Sequence, residues 1–167
     1  MQSQCVQGSD LYVRTRTKRY KVANADDIVE AARVVAGRRM QRGASFANPL
    51  DSRRYFQDKL GGIEREVFAV AYLDTRHRLI EYMELFHGTI DGAEVHPREV
   101  VRQAIRCNAA AVIVAHNHPS GTTDPSLADR AVSARLKQAL GLVDVRLLDH
   151  VIVGGANTTS MATIGLV

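Results

Sequence analysis

Two histidines at the end of an apolar run have the types and spacing of a metal-ligand pair. His116 and His118 directly follow AAAVIVA, residues 109–115, which contains no polar residue. Such a run is typical of a strand covered on both faces in a layered α/β domain. Because strand side chains alternate between the two faces, an extended chain as far as residue 118 would place both imidazoles on one side. Zinc takes histidine and carboxylate ligands, so we expect an acid to complete the set.

Asp129 is the candidate for that acid. It belongs to the predicted helix DPSLADRAVSARLKQAL, in which Asp124 is the expected N-cap and Pro125 the first residue. At about 100° per residue, Asp129 falls inside the apolar stripe of this helix, formed by Ala128, Val132, Leu136, Ala139 and Leu140. A carboxylate directed at a core must be paired, protonated or bound to a cation. Ser126, one turn earlier, could donate to a water at the metal or to a developing oxyanion.

A hydrolase built on these ligands also needs a proton acceptor that does not bind the metal. Three protein ligands leave one coordination position for water, and a free carboxylate is the usual proton acceptor for it. We favour Glu66, because it opens a largely apolar strand in which a carboxylate has no structural reason to lie. The other acids that could take this role are Glu64, Glu81, Glu84, Glu94 and Glu99.

Each of these residues also has a structural interpretation. An HxH pair is often a hydrogen-bonded or surface pair, and Glu66 could pair with Arg65. Ser126 and Asp129 have the spacing of a helix capping box.

Two further histidines have open or structural interpretations. His150 follows a predicted strand and is either a hydrogen-bonded core residue or a support for a metal ligand. His96 is expected to cap the helix that begins at Pro97.

The elements that would position this site alternate between helices and strands. Hydrophobic periodicity and turn residues predict, in order, a helix over 52–60, strands over 66–74 and 79–88, a helix over 97–108, the strand over 109–115, the helix from residue 124, and two last strands over 143–155 and 158–167.

Length and composition fit one globular domain. The chain has 167 residues, of which 46% are hydrophobic and 24% charged, and this excludes disordered and fibrous classes. No apolar run approaches the roughly 18 residues of a membrane helix, and the N-terminus lacks the core of a signal peptide. We therefore expect a cytoplasmic protein with no membrane contact. Cys5 and Cys107 form neither a disulfide framework nor a metal-binding CxxC pair.

The basic excess lies near the N-terminus. Residues 1–60 carry twelve Lys and Arg against six Asp and Glu, and the densest part is YVRTRTKRYK, residues 12–21. This segment is either a solvated arm or a weak, non-specific DNA contact in which tyrosines stack on bases. A helix is predicted from Asn24. Loop residues near 43–49 then suggest a boundary, which divides the chain into an arm and helix, 1–45, and a metal-binding domain, 46–167.

The segment HNHPSGTTDPSLAD, residues 116–129, resembles the HxHx₇SxxD signature of JAB/JAMM (MPN) metalloproteases. The segments at 64–74, 88–101, 108–121 and 147–155 are similar to the RadC-like branch of that superfamily. The resemblance implies the α/β JAB/MPN fold, a cytidine deaminase-like layered sheet with flanking helices. It also implies zinc at His116, His118 and Asp129, with Glu66 as the catalytic glutamate and Ser126 as the signature serine.

The implied function is zinc-dependent hydrolysis of a peptide or isopeptide bond in a protein substrate. The alternative is a DNA-associated or protein-binding module in which the metal is structural. A deaminase is excluded, because the H-x-E and P-C-x-x-C motifs are absent. RadC-like proteins usually carry an N-terminal helix-hairpin-helix region, whose glycine pattern is missing from the first 45 residues, so we expect a short form.

Overall fold

The computed structural model describes residues 11–14, 19–28, 31, 43–88 and 95–167. Contacts between Cα atoms group the chain into two units, residues 1–41 and residues 42–167. Within the described residues, no helix is long and apolar enough to cross a membrane.

The first unit contains a small hairpin in the basic segment. Strands β1 (Tyr12–Arg14) and β2 (Tyr20–Val22) pair in antiparallel register. A helical turn over 25–28 follows, and the Oδ1 atom of Asn24 accepts a hydrogen bond from the Asp27 amide at 2.8 Å. This turn is the start of the helix predicted from Asn24. Most of its remaining residues lie outside the described part of the chain.

The second unit is built on a five-stranded sheet. Its strands are β3 (Val67–Leu73), β4 (Leu79–His87), β5 (Ala111–Asn117), β6 (Arg146–Gly154) and β7 (Asn157–Ser160). The spatial order is β4-β3-β5-β6-β7. Strands β5 and β6 are parallel, and every other neighbouring pair is antiparallel. The sheet is therefore mixed, with β3 and β5 at its centre buried on both faces.

Helices cover both faces of this sheet. Helix α1 (Pro49–Leu60) packs against one face, whereas α2 (Pro97–Arg106) and α3 (Leu127–Gly141) pack against the other. Helix α3 also makes the crossover between the parallel strands β5 and β6, as parallel pairing requires. This three-layer arrangement confirms the predicted α/β JAB/MPN fold class.

The two-residue alternation of β5 decides where its terminal side chains point. Val112 and Val114 face the core shared with α2 and α3, whereas Ile113 and Ala115 face the core shared with α1. Continued to the end of the strand, this alternation directs His116 towards α3 and Asn117 towards α1.

Several predicted boundaries were wrong by two or three residues, and the last strand was wrong by more, since β7 ends at Ser160 and not at residue 167. Helix α2 ends at Arg106 and not at Asn108, because Asn108 has a positive φ of 54°, which an α-helix does not allow. Strand β5 covers 111–117 in place of 109–115. Helix α1 was predicted to end at the glycines and does so, but it begins earlier, where Asn48 forms a capping box.

The start of α3 also differs from the prediction. Its N-cap is Ser126, and neither Asp124 nor Pro125 belongs to the helix. The S-x-x-D capping box, with two reciprocal hydrogen bonds, fixes this start.

Candidate metal centre

The ends of β5 and of the loop after it bring His116 and His118 together. His116 is the last but one residue of β5 and is 1% exposed. The backbone N–H of His118 donates to the carbonyl of Val153 at 2.8 Å, which keeps the chain beside β6 for one residue beyond β5. The Nε2 atoms of the two imidazoles lie 2.8 Å apart.

Gly154 allows the loop after His118 to lie close to β6. A Cβ atom at position 154 would be only 2.7 Å from the carbonyl oxygen of Thr122. The same carbonyl is 3.0 Å from Nδ1 of His118. The absence of a side chain at 154 therefore helps to set the orientation of the His118 ring.

Asp129 reaches the two histidines from the first turn of α3. Its Oδ1 is 3.1 Å from Nε2 of His116, and its Oδ2 is 3.8 Å from Nε2 of His118. The Asp129 side chain is 13% exposed, in agreement with its predicted position on the apolar stripe of the helix.

Ser126 and Asp129 serve both the helix cap and the site. The Ser126 hydroxyl accepts from the Asp129 amide at 3.1 Å and donates to Asp129 Oδ2 at 2.6 Å. The Ser126 amide donates to the same Oδ2 at 2.7 Å. The capping interactions thus engage Oδ2 and leave Oδ1 directed at His116. Because the Ser126 hydroxyl proton points at Asp129, donation to an oxyanion would require the hydroxyl to rotate.

Hydrogen bonding fixes the tautomer of His118. Its Nδ1 lies 3.0 Å from the carbonyl oxygen of Thr122, and a carbonyl can only accept. The proton of neutral His118 is therefore on Nδ1, and its Nε2 carries a lone pair.

A chain of three hydrogen bonds is consistent with the same tautomer of His116. The Ser133 hydroxyl donates to the Asp129 carbonyl at 2.8 Å and lies 2.7 Å from Nδ1 of His150. Since the single hydroxyl proton is used, Nδ1–H of His150 donates to Ser133 and its Nε2 accepts. That Nε2 is 2.8 Å from Nδ1 of His116. Nδ1 of His116 is consequently protonated, and its Nε2 also carries a lone pair.

Burial keeps the supporting histidine neutral. His150 is completely buried, and desolvation, reinforced by the nearby His116, holds the pKa of His150 well below its ordinary value. The relay from Ser133 to His116 therefore contains a neutral imidazole at pH 7.

The donor set requires a positive charge at its centre. Burial alone would raise the pKa of Asp129, but its hydrogen bond and charge interaction with His116 and its hydrogen bonds from Ser126 lower that pKa below the usual range. Asp129 is thus a carboxylate beside two imidazole rings, and its hydrogen bond from His116 requires a proton on Nε2 of that ring when no metal is bound. Either a proton on Nε2 of a histidine or a bound cation can offset this concentration of negative potential.

The residues fit a divalent metal ion. One ligand atom from each of His116, His118 and Asp129 lies within 4.8 Å of the others, and this is the one such grouping among the residues that the structure describes. Two imidazole nitrogens and a carboxylate oxygen are ligands that zinc accepts, with a fourth position left open.

Glu66 lines the same cavity as these ligands. The cavity has a volume of about 280 Å³, and its walls include Glu66, Phe68, Val95, His116 and Asp129. Glu66 directly precedes β3 and is half-buried. Its carboxylate makes no hydrogen bond or ion pair with any described residue, so the alternative pairing with Arg65 is not found there.

The other candidate acids lie elsewhere or are already bonded. Glu81 accepts from Gln103 at 2.6 Å, Glu84 accepts from Tyr82, and Glu99 pairs with Arg102. Glu64 lines a different cavity. Glu94 lies outside the described residues. Among the acids that the structure describes, Glu66 and Asp129 are those that line the cavity of the histidines.

Comparison with known families identifies the domain that carries this arrangement. A family model described as the RadC-like JAB domain matches residues 46–166, which include all five site residues. The chain belongs to the RadC-like JAB domain family. JAMM metalloproteases are included in the wider JAB domain grouping.

Curated relatives of this RadC-like JAB domain are named UPF0758 proteins. One from Marinobacter nauticus is 53% identical over 146 residues, which cover 87% of this chain and 65% of the relative. One from Xylella fastidiosa is 59% identical over 126 residues, which cover 75% of this chain and 56% of the relative. A third, from Vibrio cholerae, is 52% identical over 132 residues, which cover 79% of this chain and 84% of the relative. The chain thus spans about half to two thirds of the length of the first two.

His96 occupies the predicted position in this RadC-like JAB domain, but its side chain does not cap the helix. It is the N-cap residue of α2 and makes no side-chain capping bond. Its ring instead packs edge-on against Phe86 at 6.0 Å between centroids.

Sequence reasoning left the supporting residues of the site unassigned. The sequence allows two roles for His150, and the structure combines them, because it is a buried, hydrogen-bonded residue that also contacts His116. Ser133 was missed. It lies one helical turn after Asp129 on the buried side of α3, and this spacing is the signal that could have indicated it.

Proposed function

We propose that this RadC-like JAB domain is a zinc-dependent hydrolase that cleaves a peptide or isopeptide bond in a protein substrate. The observation that carries the proposal is the shared cavity, in which Glu66, a carboxylate with no partner among the described residues, accompanies the converged donors of His116, His118 and Asp129. A metal needed only for structure would be held by the three ligands and would not need a second acidic side chain, Glu66, in the same cavity.

Zinc bound by His116, His118 and Asp129 would supply Lewis-acid chemistry, which makes a water more acidic and a carbonyl carbon more electrophilic. The ligands themselves are held for this purpose by bonds on their far sides. Thr122 orients His118, and the relay through His150 orients His116, so both present Nε2.

Glu66 would move the proton. It accepts a proton from water as the water oxygen bonds to the scissile carbonyl carbon, and it then gives that proton to the leaving nitrogen as the carbon–nitrogen bond breaks. The immediate products are a carboxylic acid and an amine, and the acid then loses its proton to the amine or to solvent. Ser126, on the same cavity wall, could rotate its hydroxyl to donate to the oxygen of the tetrahedral species.

The test uses the metal-loaded chain with two defined probe sets, linear peptides and branched peptides joined through a lysine ε-amine. We expect cleavage of one set by the native chain, detected by mass spectrometry, and loss of at least about 100-fold in Glu66→Gln with the metal retained. Glu84→Gln is the matched control, because that acid lies outside the cavity, and it should keep full activity. Cleavage by Glu66→Gln at the native rate would contradict the proposal.

A specific observation favours a second function for the first unit. Tyr12 and Tyr20 of the hairpin are 60% and 71% exposed. Arg19 directly precedes β2, and Lys21 lies on β2 next to Tyr20. Exposed aromatic rings next to cations fit a weak contact with nucleic acid. This contact would be independent of Glu66, so DNA binding unchanged by Glu66→Gln would support it as a separate activity.

A further inference from the structure

Asn117 stands between the two histidines and points to the other side of the sheet. It is the last residue of β5 and is 3% exposed. Because side chains alternate along a strand, it faces away from the metal ligands and towards the segment that leads into β3.

Its side chain makes three hydrogen bonds to that segment. Oδ1 accepts from the amide of Val67 at 2.8 Å. Nδ2 donates to the carbonyls of Ile63 and Arg65, at 3.0 and 2.9 Å. The bonds to Arg65 and Val67 are made to the residues immediately before and after Glu66.

These bonds replace a backbone pairing that is absent at this point. The register of β3 with β5 ends at Phe68 and His116. The next step would pair Val67 with Asn117, and there the Asn117 side chain takes the Val67 amide instead. On the opposite side, the carbonyl of Glu66 accepts from the amide of Gly88 at 2.9 Å. The backbone of Glu66 is therefore fixed on both sides, although its carboxylate is bonded to no described residue.

We propose that Asn117 is a positioning residue for Glu66. The end of β5 would then position both the metal ligands and the proton acceptor. His116 and His118 present the ligand nitrogens, and Asn117 between them holds the segment that carries Glu66. The inference rests on the proposed function, in which Glu66 moves the proton. It requires a side chain with one acceptor and two donors, which asparagine has and aspartate, serine and leucine lack.

The first measurement needs no substrate. We expect Asn117→Ala to raise the amide exchange rate of Val67 by about fivefold or more relative to the rest of β3, because that amide loses its acceptor. Metal content should stay at the native level, since Asn117 is not a ligand. Gln103→Ala is the matched control, as it removes another buried amide side chain, and it should leave Val67 exchange unchanged.

The second measurement separates positioning of Glu66 from general support. Asn117→Asp keeps the size of the side chain but replaces two donors by an oxygen that faces two carbonyls, so it serves if the alanine variant does not fold. We expect it to lower kcat on the cleaved probe peptide by about tenfold with little change in KM. In the Glu66→Gln background, the same change should cause no further loss, because its effect is exerted through Glu66.

Three outcomes are decisive. An equal loss of activity from Asn117→Asp in both backgrounds, or unchanged Val67 exchange in Asn117→Ala, would overturn the positioning role. A native chain that cleaves no probe would instead count against the proposed function, and the exchange rates would then decide alone whether Asn117 holds the Glu66 segment.

Discussion

At the scale of residues, the positions of the imidazole protons decide which nitrogens of the candidate metal centre can bind a metal. Thr122 and His150 each take an Nδ1 proton, so the Nε2 lone pairs of His116 and His118 face each other and Asp129. Such an arrangement is stable only around a positive charge. Metal binding and protonation therefore compete for the same position.

The ligand assignment predicts that His118→Ala and Asp129→Asn lose the metal. His118→Ala removes one ligand, and Asp129→Asn removes the negative charge of another. Asparagine keeps an oxygen that can still cap α3, so the fold should survive. Elemental analysis should find one zinc per native chain and little in either variant. His87→Ala, at the exposed end of β4, is the control and should bind normally. Full occupancy after simultaneous replacement of His116 and His118 by alanine would disprove the assignment.

The relay behind His116 predicts a weaker but intact site in His150→Ala and Ser133→Ala. Both variants keep all three ligands but remove the bond that orients the His116 ring. Loss of such a support usually weakens metal affinity by about 10–100-fold. Competition with a chelator would measure it. Ser120→Ala, on the exposed loop after His118, is the control, and an affinity for zinc equal to native in His150→Ala would contradict this role.

The ligands could be predicted from sequence because their spacing follows local geometry. His116 lies on β5 and His118 directly follows that strand, two residues later, and Asp129 lies on the buried stripe of one helix. The contacts of Asn117 with Val67 and of His116 with His150 join residues 50 and 34 positions apart. No periodicity reports such contacts, because they depend on the order of strands in the sheet.

At the scale of elements, the start of α3 shows how two cap signals compete. Asp124 followed by proline is a valid helix start, and Ser126 with Asp129 is another. The helix starts at Ser126, whose reciprocal bonds with Asp129 also direct Oδ1 of Asp129 towards His116 in the candidate metal centre. The sequence contained both signals, and only the packing of α3 distinguishes them.

The turn between β3 and β4 depends on Asp74. Its Oδ1 accepts from the amides of Arg76 and Arg78 at 2.9 Å each, and its Oδ2 accepts from the Arg78 guanidinium at 2.8 Å. Burial alone would raise the pKa of Asp74, but these hydrogen bonds and the charge of Arg78 lower it below its ordinary value.

This lowered pKa predicts a pH-dependent effect of Asp74→Asn. The native bonds stabilise the fold fully above the ordinary aspartate pKa of about 4, and their contribution is lost as the pH falls through the lower pKa of the folded state. Asp74→Asn should therefore reduce the free energy of unfolding by about 1 kcal/mol at pH 7. The difference from native should shrink in acid. Urea unfolding at pH 7 and pH 3 measures both, and a deficit independent of pH would refute the electrostatic explanation.

At the scale of the whole molecule, the two units are predicted to separate by function. Both buried clusters and all five site residues lie in residues 46–167. Deletion of residues 1–41 should therefore leave zinc content and the thermal unfolding of the remaining domain unchanged, with residues 43–46 kept because they bond to Leu79 and His77. Calorimetry and elemental analysis test this, and an unfolded truncated chain would contradict it.

The same truncation tests the nucleic-acid contact. Arginine and lysine without a groove-reading element can meet phosphates but cannot read bases, so binding should be independent of sequence and fall steeply with salt. A salt titration of DNA binding should show this for the intact chain and no binding for the truncated one. Tight binding by the truncated chain would place the contact elsewhere.

The order of helices and strands in the sequence predicts the fold class, but it does not predict the order of the strands in the sheet. A helix, two strands and then alternating helices and strands predict a layered α/β domain. That β5 lies between β3 and β6, parallel to only one of them, is seen only in the folded sheet, whose two faces bury separate apolar clusters. The site depends on this order, because only then does Glu66 lie beside the end of β5.

The parallel pair β5 and β6 with its α3 crossover has a consequence for how the chain folds. The three candidate ligands and His150 all belong to this one strand-helix-strand segment. Glu66 precedes the segment, and its neighbour Val67 bonds to Asn117, 50 residues later in the chain. Closing a longer loop costs more chain entropy, so we expect the ligand cluster to assemble first. During synthesis the segment around Glu66 leaves the ribosome first, but we expect it to dock against β5 after the ligand cluster has formed. An intermediate that binds metal before the Glu66 segment is in place would then precede the fully folded domain.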